Sequence, residues 1–315
     1  MDVIRYLEPD RLSDDAFYKG CVLTIGNFDG VHLGHQAILR QVKHQAKRLG
    51  CASCVMIFEP QPREFFDGAD APARLMSLRT KLDWFKHMGV DRVAVMGFDQ
   101  AFSQWTPQEL VHRIMNSLAA KHWVVGDDFR FGNDRSGDFK LLQGIGASLG
   151  FSVESSASYM IEGERVSSTW VRRSLVLSQF DQAERLLGHP FVISGRVGHG
   201  DKLGRQLGAP TANIKSGMNS LPVNGVFAVD VLGIVKSAMP GVAHIGSRPT
   251  VDGSELRVEV HVLDYQGDLY GRRLGIRLRD KLRKEQKFVN LDALKHQIKL
   301  DIVSAKDYFS IAGTS

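Results

Sequence analysis

Two histidines with two residues between them could stabilise a negatively charged reaction centre. His32 and His35 lie in the run Gly26-Asn-Phe-Asp-Gly-Val-His-Leu-Gly-His35, between an apolar segment and a long segment of helical period. At a helix start, residues three apart point the same way, and Gly34 lets a phosphate approach backbone amides that already favour an anion. The pattern suits in-line displacement at a phosphate. The alternative is an ordinary polar loop between a strand and a helix.

The elements predicted around this loop form a parallel sheet flanked by helices. From Cys21 to about Glu154, segments of helical period alternate with short apolar runs, namely CVLTIG, SCVMIFEP, DRVAVMGF, HWVVG and FSVES. This alternation is typical of βα units, whose strands are covered on both faces. Ligands of such sheets bind at the carboxyl ends of the strands. We therefore expect the site in the loops that follow these strands.

The pattern changes at His189-Pro190. After two helical segments, STWVRRSLVLS and FDQAERLLG, short alternating strands are separated by Gly, Pro, Asn and Asp turns. That spacing predicts a small antiparallel barrel, and a last helix is predicted from about Leu291 to Tyr308. The predicted fold class is thus α/β with a parallel sheet, followed by an antiparallel β-barrel with a C-terminal helix.

Composition limits the function classes. A chain of 315 residues favours two domains, and a net charge of +5 with scattered basic residues suits phosphate-rich ligands better than a nucleic-acid interface. The N-terminus has no apolar signal region and no apolar run reaches a membrane-spanning length, so we expect a cytoplasmic protein. Cys51 and Cys54 have the spacing of a metal or redox pair, but without a second ligand pair they are interpreted as buried strand cysteines.

Two rival nucleotide motifs are excluded. No Walker sequence G-x-x-x-x-G-K-[ST] occurs. The segment Gly144-Ile-Gly-Ala-Ser-Leu-Gly150 is close to a dinucleotide fingerprint, but it ends a predicted helix instead of following a strand. We interpret it as a helix C-terminus.

The second half contains a glycine-rich loop and a small polar cluster. The loop, Gly195–Arg205, carries cations that include Lys202 and Arg205, and the cluster Pro-Thr-Ala-Asn follows at residues 210–213. Taken alone, Thr211 and Asn213 are typical of a turn and a strand edge. In the alternating strand RVEVHV, Glu259 and His261 share a face opposite the valines. Taken alone, Glu259 is better interpreted as a carboxylate on the barrel surface that pairs with Arg257 or Arg273.

The string TIGNFDGVHLGH resembles the His-x-Gly-His signature of nucleotidyltransferases, in the form found in the FMN adenylyltransferase half of bacterial bifunctional riboflavin kinase/FAD synthetases. Further blocks follow in the family's order: FEPQPR from Phe58, FDQAF from Phe98, VGDDFRFG from Val125 and SSTWVR from Ser167. The resemblance implies a Rossmann-like nucleotidyltransferase domain that transfers AMP from ATP to FMN. The FMN phosphate is already an anionic nucleophile, so alignment and charge stabilisation are the main requirements.

The same resemblance assigns roles to residues of the first half. Charge stabilisation falls to His32, His35 and Arg172. ATP binding is assigned to Gly26, Asn27, Phe28, Asp29, Gly34, Gly126, Ser168 and Thr169, and flavin binding to Asp128, Arg130 and Phe131. Ser168 and Thr169 alone are also typical of a helix N-cap. Some relatives have Asn where this chain has Asp128.

The second half resembles the riboflavin kinase signature. The resemblance assigns ATP binding to Gly195, Lys202, Gly204, Arg205, Thr211 and Asn213. Thr211 and Asn213 would also hold Mg²⁺. It assigns Glu259 as the base that accepts the proton of a riboflavin hydroxyl. His244 departs from the family pattern, in which Asn is more frequent before Ile-Gly.

We therefore predict an FMN adenylyltransferase domain at residues 1–185 and a riboflavin kinase domain at residues 186–315. The predicted substrates are ATP, riboflavin and FMN, with Mg²⁺ and without a nucleic-acid, membrane or obligate protein partner. One alternative is a flavin-binding or regulatory protein that has lost an activity. Another is an RNA-binding or tRNA-charging protein, although no aminoacylation or anticodon domain follows.

Overall fold

The computed structural model describes residues 1–5, 20–199, 209–250 and 253–312. Contacts within the chain divide it into two compact units, Met1–Pro72 with Leu78–Ser167, and Ala73–Ser77 with Ser168–Ser315. Residues 168–185, which the sequence-based boundary assigns to the first domain, group with the second unit. The functional boundary near residue 185 remains a prediction.

The first unit contains a parallel sheet of six strands in the order β1-β4-β3-β2-β5-β6. The strands are β1 Asp2–Arg5, β2 Cys21–Ile25, β3 Ala52–Glu59, β4 Arg92–Gly97, β5 Ala120–Gly126 and β6 Ser152–Ser156. A two-stranded hairpin, β7 Met160–Ile161 and β8 Glu164–Arg165, follows the sheet. Because the strand order reverses between β2 and β5, the crevice for a ligand is expected between their carboxyl ends.

In the described part of this unit, six helices connect the strands. They are α1 Leu33–Leu49, α2 Pro62–Asp67, α3 Leu78–His87, α4 Gln100–Ser103, α5 Pro107–Leu118 and α6 Phe139–Leu149. Their ends follow local rules: α5 starts with a capping box at Thr106 and Glu109, and α6 ends at Gly150 in the left-handed conformation. Buried strand residues such as Leu23, Met56 and Trp123 form the core with the helices. This core holds the strands in place, so the loops at their carboxyl ends can form a binding site.

The second unit is built around a closed antiparallel barrel in the order β10-β13-β12-β11-β14-β9. Its strands are β9 Val192–Gly198, β10 Ala212–Lys215, β11 Gly225–Leu232, β12 Met239–Thr250, β13 Gly253–Val262 and β14 Arg273–Arg283. Buried residues alternate with more exposed ones along β10, where Ala212 and Ile214 point into the barrel. The intervening residues of this strand face outward.

Among its described residues, the barrel unit has three helices: α7 Ser168–Val176, α8 Phe180–Leu187 and α9 Leu291–Ala312. Arg277 of β14 binds Glu184 of α8 through two hydrogen bonds of 2.9 and 2.6 Å. Helix α9 covers part of the barrel's outer face, where Ala305 packs with Val226 and Val242. The outer face is thus divided between a covered apolar part and a part that carries polar side chains.

The predicted fold class is confirmed: a parallel sheet with helices precedes a closed barrel and a C-terminal helix. The last helix extends to Ala312, beyond the predicted end, and strand β1 and hairpin β7–β8 were not predicted. All three cysteines are free, with Cys54 buried in β3 and Cys51 half-buried just before it. Within the described residues, every helix is too short or too polar to cross a membrane.

Candidate functional sites

A cavity of about 910 Å³ lies at the carboxyl ends of the sheet strands in the first unit. It is lined by the loop after β2 and by the loop after β5, which flank the reversal in strand order. Most of the residues predicted for the adenylyltransferase site line this cavity, namely Gly26, Asn27, Phe28, His32, Gly34, His35, Gly126, Asp128, Arg130 and Phe131. Asp29 is buried in the same loop at 2% exposure. The cavity therefore gathers residues that are a hundred positions apart in the chain.

The two histidines meet at the start of α1. His32 is the N-cap, and its Nδ1 accepts a hydrogen bond of 3.3 Å from the backbone N–H of His35. The two rings stack with centroids 3.6 Å apart and an interplanar angle of 18°. A Cβ at Gly34 would lie 3.1 Å from Cε1 of His32, so glycine permits this close packing. The two imidazole rings thus lie side by side at the N-terminus of α1.

One ring nitrogen of His35, Nδ1, is buried and has no hydrogen-bond partner among the described residues. Burial, followed by the nearby His32, Lys81 and Arg165, lowers the pKa of His35 well below its usual value. The ring is therefore neutral near pH 7 and can donate one hydrogen bond. Because an unpaired buried nitrogen costs free energy, a ligand atom placed there would be favoured.

Lys81 is a further residue of this site that the sequence analysis missed. Its side chain is completely buried in α3, and its Nζ donates a hydrogen bond of 2.6 Å to the carbonyl oxygen of Asn27. Burying an ammonium group costs several kcal/mol unless it is well partnered. Lys81 thus anchors the loop that leads to His32 and contributes positive charge beside His35. Nothing in the helical pattern LRTKLDWFKH separates it from a solvated lysine.

The acidic pair after β5 is held by an arginine from the hairpin. Arg165 donates to Asp128 at 2.8 Å and lies 3.5 Å from Asp127, whose other oxygen accepts a 2.7 Å bond from Ser158. The hydrogen bond from Arg165 is the main reason that the pKa of Asp128 is lowered. Arg130, also predicted to contact flavin, lies 3.4 Å from Asp138. Asp128 is therefore charged, and both carboxylates at the cavity rim are already paired with Arg165.

Aromatic rings form one wall of the cavity. Phe58 lies 5.4 Å from Phe102, which lies 4.6 Å from Trp105, measured between ring centroids. Phe131 stacks with Phe129 at 5.4 Å and 15°. Phe66 lines the cavity with 64% of its surface exposed, an uncommon state for a large apolar ring. This wall suits a flat aromatic ligand, and aromatic enrichment after FEPQP and in FDQAFSQW is the signal for it in the sequence.

The segment SSTWVR leads into α7, which starts at Ser168. Ser168 and Thr169 are its first residues, and Arg172 donates a 2.6 Å hydrogen bond from Nε to the carbonyl oxygen of Ala73. All of these residues belong to the second contact unit, whereas the neighbouring Ser167 lines the cavity of the first. The roles of Ser168, Thr169 and Arg172 with ATP remain predictions.

A second polar site lies on the outer face of the barrel. In the antiparallel pairing of β10 with β13, Asn213 is directly opposite Glu259, while the buried Ala212 is opposite Val260. Directly opposed residues present their side chains on the same face. The register therefore brings the amide of Asn213 and the carboxylate of Glu259 together, and Thr211 lies directly before β10.

Glu259 has two neighbours that bear on its role. Arg257 lies 3.7 Å from its carboxylate, so the contact expected of a surface Glu is present. On the other side, β12 places His244 directly opposite Glu259. His261, on the same face, forms a 2.9 Å hydrogen bond with the carbonyl oxygen of Pro210. Glu259 is half-buried in this cluster, which is a suitable environment for a base as well as for an ion pair.

A cavity of about 500 Å³ lies in the barrel unit and is lined by inward-facing strand residues such as Ala212 and Val260 and by the connection after β13. Thr211 and Tyr265 line it, together with Tyr270, whose ring lies 4.6 Å from that of His199. Gly195 lies within β9, where an added Cβ would collide with the carbonyl oxygen of Lys215, so its shown role is close strand packing. Lys202, Gly204 and Arg205 fall outside the described residues.

The donor atoms near this cavity fit a hard cation. Mg²⁺ prefers oxygen ligands and keeps several waters or substrate phosphates in its coordination sphere. An amide oxygen at Asn213 and a carboxylate at Glu259 on one face, with the hydroxyl of Thr211 directly before the strand, match that preference. Among the described residues, no group of three His, Cys, Asp or Glu forms a dedicated metal cage. The arrangement therefore suits a cation that arrives with nucleotide phosphates.

Comparison with known proteins extends this picture. The FAD synthetase family model matches residues 14–170, and the riboflavin kinase model matches residues 187–309. The bifunctional riboflavin kinase/FMN adenylyltransferase of Escherichia coli strain K12 is 49% identical over 93% of this chain and 94% of its own length. The protein of the same name from Pseudomonas fluorescens is 51% identical over 92% of this chain and 93% of its own.

Similarity to a solved structure covers nearly the whole chain. A crystal structure described as a macrolide-efflux protein from Streptococcus pneumoniae matches with a TM-score of 0.77 and 27% identity, over 97% of this chain and 99% of that one. That description applies to the Streptococcus pneumoniae protein and is not transferred to this chain. The two family models match in the order FAD synthetase and then riboflavin kinase, and the two curated relatives carry both activities in their name. The chain belongs to the bifunctional riboflavin kinase/FMN adenylyltransferase family.

Proposed function

We propose that this chain phosphorylates riboflavin to FMN and ADP at the barrel site, and adenylylates FMN to FAD and pyrophosphate at the α/β site, with ATP as the donor in both reactions. The observation that carries the proposal is the presence of two separate polar sites, each inside the region matched by the corresponding family model. The function predicted from the sequence is the function of the family.

For adenylyl transfer, we propose that FMN binds with its ring against the aromatic wall that includes Phe58 and Phe66, and with its phosphate near the start of α1. The phosphate attacks the α-phosphate of ATP, and pyrophosphate leaves. No base is needed because the nucleophile is already an anion. His35 and the backbone amides of the helix start stabilise the charge that develops, while Lys81 holds the carbonyl of Asn27 and so positions the loop.

The departing pyrophosphate needs cationic and hydrogen-bonding groups of its own. We propose Ser168, Thr169 and Arg172 for this role, with the hydroxyls and helix-start amides of α7 on the phosphates. Asp128, Arg130 and Phe131 are proposed to border the flavin, which is supported by their position at the cavity. Gly26, Asn27, Phe28, Asp29, Gly34 and Gly126 are proposed to bound the ATP site.

For the kinase reaction, a neutral hydroxyl of riboflavin is the nucleophile, so a proton acceptor is required. We propose Glu259 as that base, since it is half-buried on the face that carries Asn213. Thr211 and Asn213 would hold Mg²⁺, which when bound neutralises charge on the ATP phosphates. The adenine is proposed to occupy the cavity lined by Tyr265 and Tyr270. Lys202, Gly204 and Arg205 are proposed to attend the phosphates.

We further propose that the functional boundary between the domains lies near residue 185, and that the enzyme works in the cytoplasm. Three free cysteines and the use of ATP support that location. The proposed reactions require small-molecule substrates, and neither requires a protein partner.

The test is a product analysis with matched variants. Purified protein is incubated with riboflavin, ATP and Mg²⁺, and riboflavin, FMN and FAD are separated by chromatography. Wild type should form FAD, His35→Ala should accumulate FMN, and Glu259→Gln should leave riboflavin unreacted while still converting added FMN to FAD. Folded wild-type protein that forms neither product would overturn the proposal and favour a flavin-binding protein.

A further inference from the structure

The segment between β14 and α9 lies against the kinase face. His244 Nε2 is 3.2 Å from Oε1 of Glu285, which belongs to this segment, residues 284–290. A Cβ at Gly246 would collide with the same oxygen of Glu285, so the glycine provides the space in which the carboxylate lies. The carboxylate of Glu285 therefore has two neighbours on β12: the ring of His244 hydrogen-bonds to it, and Gly246 leaves room for it.

The start of this segment is fixed by a second ion pair. Arg283, the last residue of β14, binds both oxygens of Asp301 in α9 at 2.8 Å, and Asp301 is only 6% exposed. Arg283 also donates a 3.0 Å hydrogen bond to the carbonyl oxygen of Lys284 and lies over the ring of Phe288 at 5.8 Å. The segment thus leaves the barrel in a defined direction, and Glu285 meets His244.

His244 connects this segment to the proposed base. The register of β12 with β13 sets His244 directly opposite Glu259, and opposed residues share a face. A single side chain therefore has Glu259 as its cross-strand neighbour and Glu285 as its hydrogen-bond partner. The side chains of His244 and Glu285 are 39% and 42% exposed, so this pair can be altered without opening the core.

We propose that His244 and Glu285 are a pair of positioning residues for the kinase reaction: His244 holds segment 284–290 beside Glu259, so that the segment forms a wall of the riboflavin site. The proposal rests on the proposed kinase function. The pair contributes to binding of riboflavin and not to transfer of the phosphoryl group, because neither residue takes over the proton or contacts the reacting phosphate.

The experiment measures the riboflavin dependence of FMN formation for His244→Ala, Glu285→Gln and the double variant. Each single change should raise KM for riboflavin about 3- to 10-fold, as expected for one partly exposed ion pair, and leave kcat within about twofold. The double variant should be no worse than either single one, because the two side chains act through one contact. His244→Gln should retain most of the affinity, since its amide nitrogen can replace Nε2.

Two controls separate the possible causes. Lys287→Ala changes an exposed residue of the same segment and should not alter KM. Conversion of added FMN to FAD by the same variants should be unchanged, since neither His244 nor Glu285 belongs to the proposed adenylyl-transfer site. The inference is overturned if the single variants keep the wild-type KM, if their effects multiply in the double variant, or if Lys287→Ala or FAD formation is affected equally. If wild type forms no FMN, the kinase proposal itself fails.

Discussion

The α/β site is assembled from loops and a helix start, whereas the barrel site is assembled from side chains that face each other across antiparallel strands. In the first, His32 and His35 are neighbours in sequence and stack at 3.6 Å. In the second, Asn213 and Glu259 are 46 residues apart and meet through strand register. The chemistry of the two proposed reactions follows the same division, because adenylyl transfer needs charge stabilisation and the kinase needs a base.

The difference shows where each site is sensitive to change. At the α/β site, backbone amides of the helix start contribute and cannot be removed by substituting a side chain. At the barrel site, the reactive groups are side chains, so a single substitution can remove an essential function. Because the two proposed reactions use different base and charge-stabilising groups, the other reaction is an internal control for folding.

The largest effect is expected at the proposed base. Glu259→Gln keeps the size of the side chain but removes its ability to accept a proton, and should lower kcat for FMN formation about 10²- to 10⁴-fold. Rates are measured as FMN plus FAD formed from riboflavin. Glu255→Gln, the same change on an exposed residue of β13, is the matched control. A loss below tenfold would contradict the role of Glu259 as a base.

The second largest effect is expected at His35 of the α/β site. His35→Ala should lower the rate of FAD formation from added FMN about 10²- to 10³-fold, the range seen when one donor to a developing anion is removed. FMN formation from riboflavin should stay at the wild-type rate. His44→Ala, an exposed position of α1, is the control. If His35→Ala retained full activity, the helix-start amides would be sufficient without the imidazole.

A smaller effect is expected for the buried lysine. Lys81→Met preserves the stem but removes the hydrogen bond to Asn27, and should lower FAD formation about tenfold, equivalent to about 1.4 kcal/mol. The loss of positive charge should also raise the pKa of His35, although burial should still keep that pKa below its usual value.

Two measurements test this prediction. The FAD assay compares Lys81→Met with Lys86→Met, an exposed residue of the same helix. Titration of the His35 ring by ¹⁵N NMR reports the pKa directly. An unchanged His35 pKa would show that the charge of Lys81 is compensated, and unchanged FAD formation would show that the loop holds its shape without this anchor.

The smallest effect is expected at the rim of the cavity. Asp128→Asn removes a charge but keeps a hydrogen-bond acceptor for Arg165, which also lies 3.5 Å from Asp127. For such a partly exposed pair we expect less than about a fivefold change in KM for FMN. Steady-state kinetics with FMN as the varied substrate provides the measurement. A much larger loss would assign Asp128 a direct contact with the reacting groups.

Features encoded by neighbouring residues were predicted from the sequence. The periodicity of 3.6 after Gly26-Asn-Phe-Asp-Gly identified α1, and with it the shared direction of His32 and His35. The alternation in RVEVHV gave the outward face of Glu259. Both depend on local geometry, in which the side-chain direction follows from the position within the element.

Features that depend on tertiary contacts were not predicted. Lys81 has the context of a surface residue, and its partner Asn27 lies 54 positions earlier. The opposition of His244 and Glu259 depends on strand register, which a single sequence leaves open. Edge strand β1 pairs with β4 across about 90 residues and is only four residues long, so its pattern is too short to be distinctive.

The closed barrel also limits which kinds of sequence change the kinase site tolerates. Because side chains alternate between the two faces, inserting or deleting one residue between Ala212 and Lys215 would turn the polar side chains toward the interior. An open sheet could shift its edge strand to absorb the change, but β10 is paired on both sides, with β9 and β13. Length variation in this unit should therefore be confined to the connections between strands.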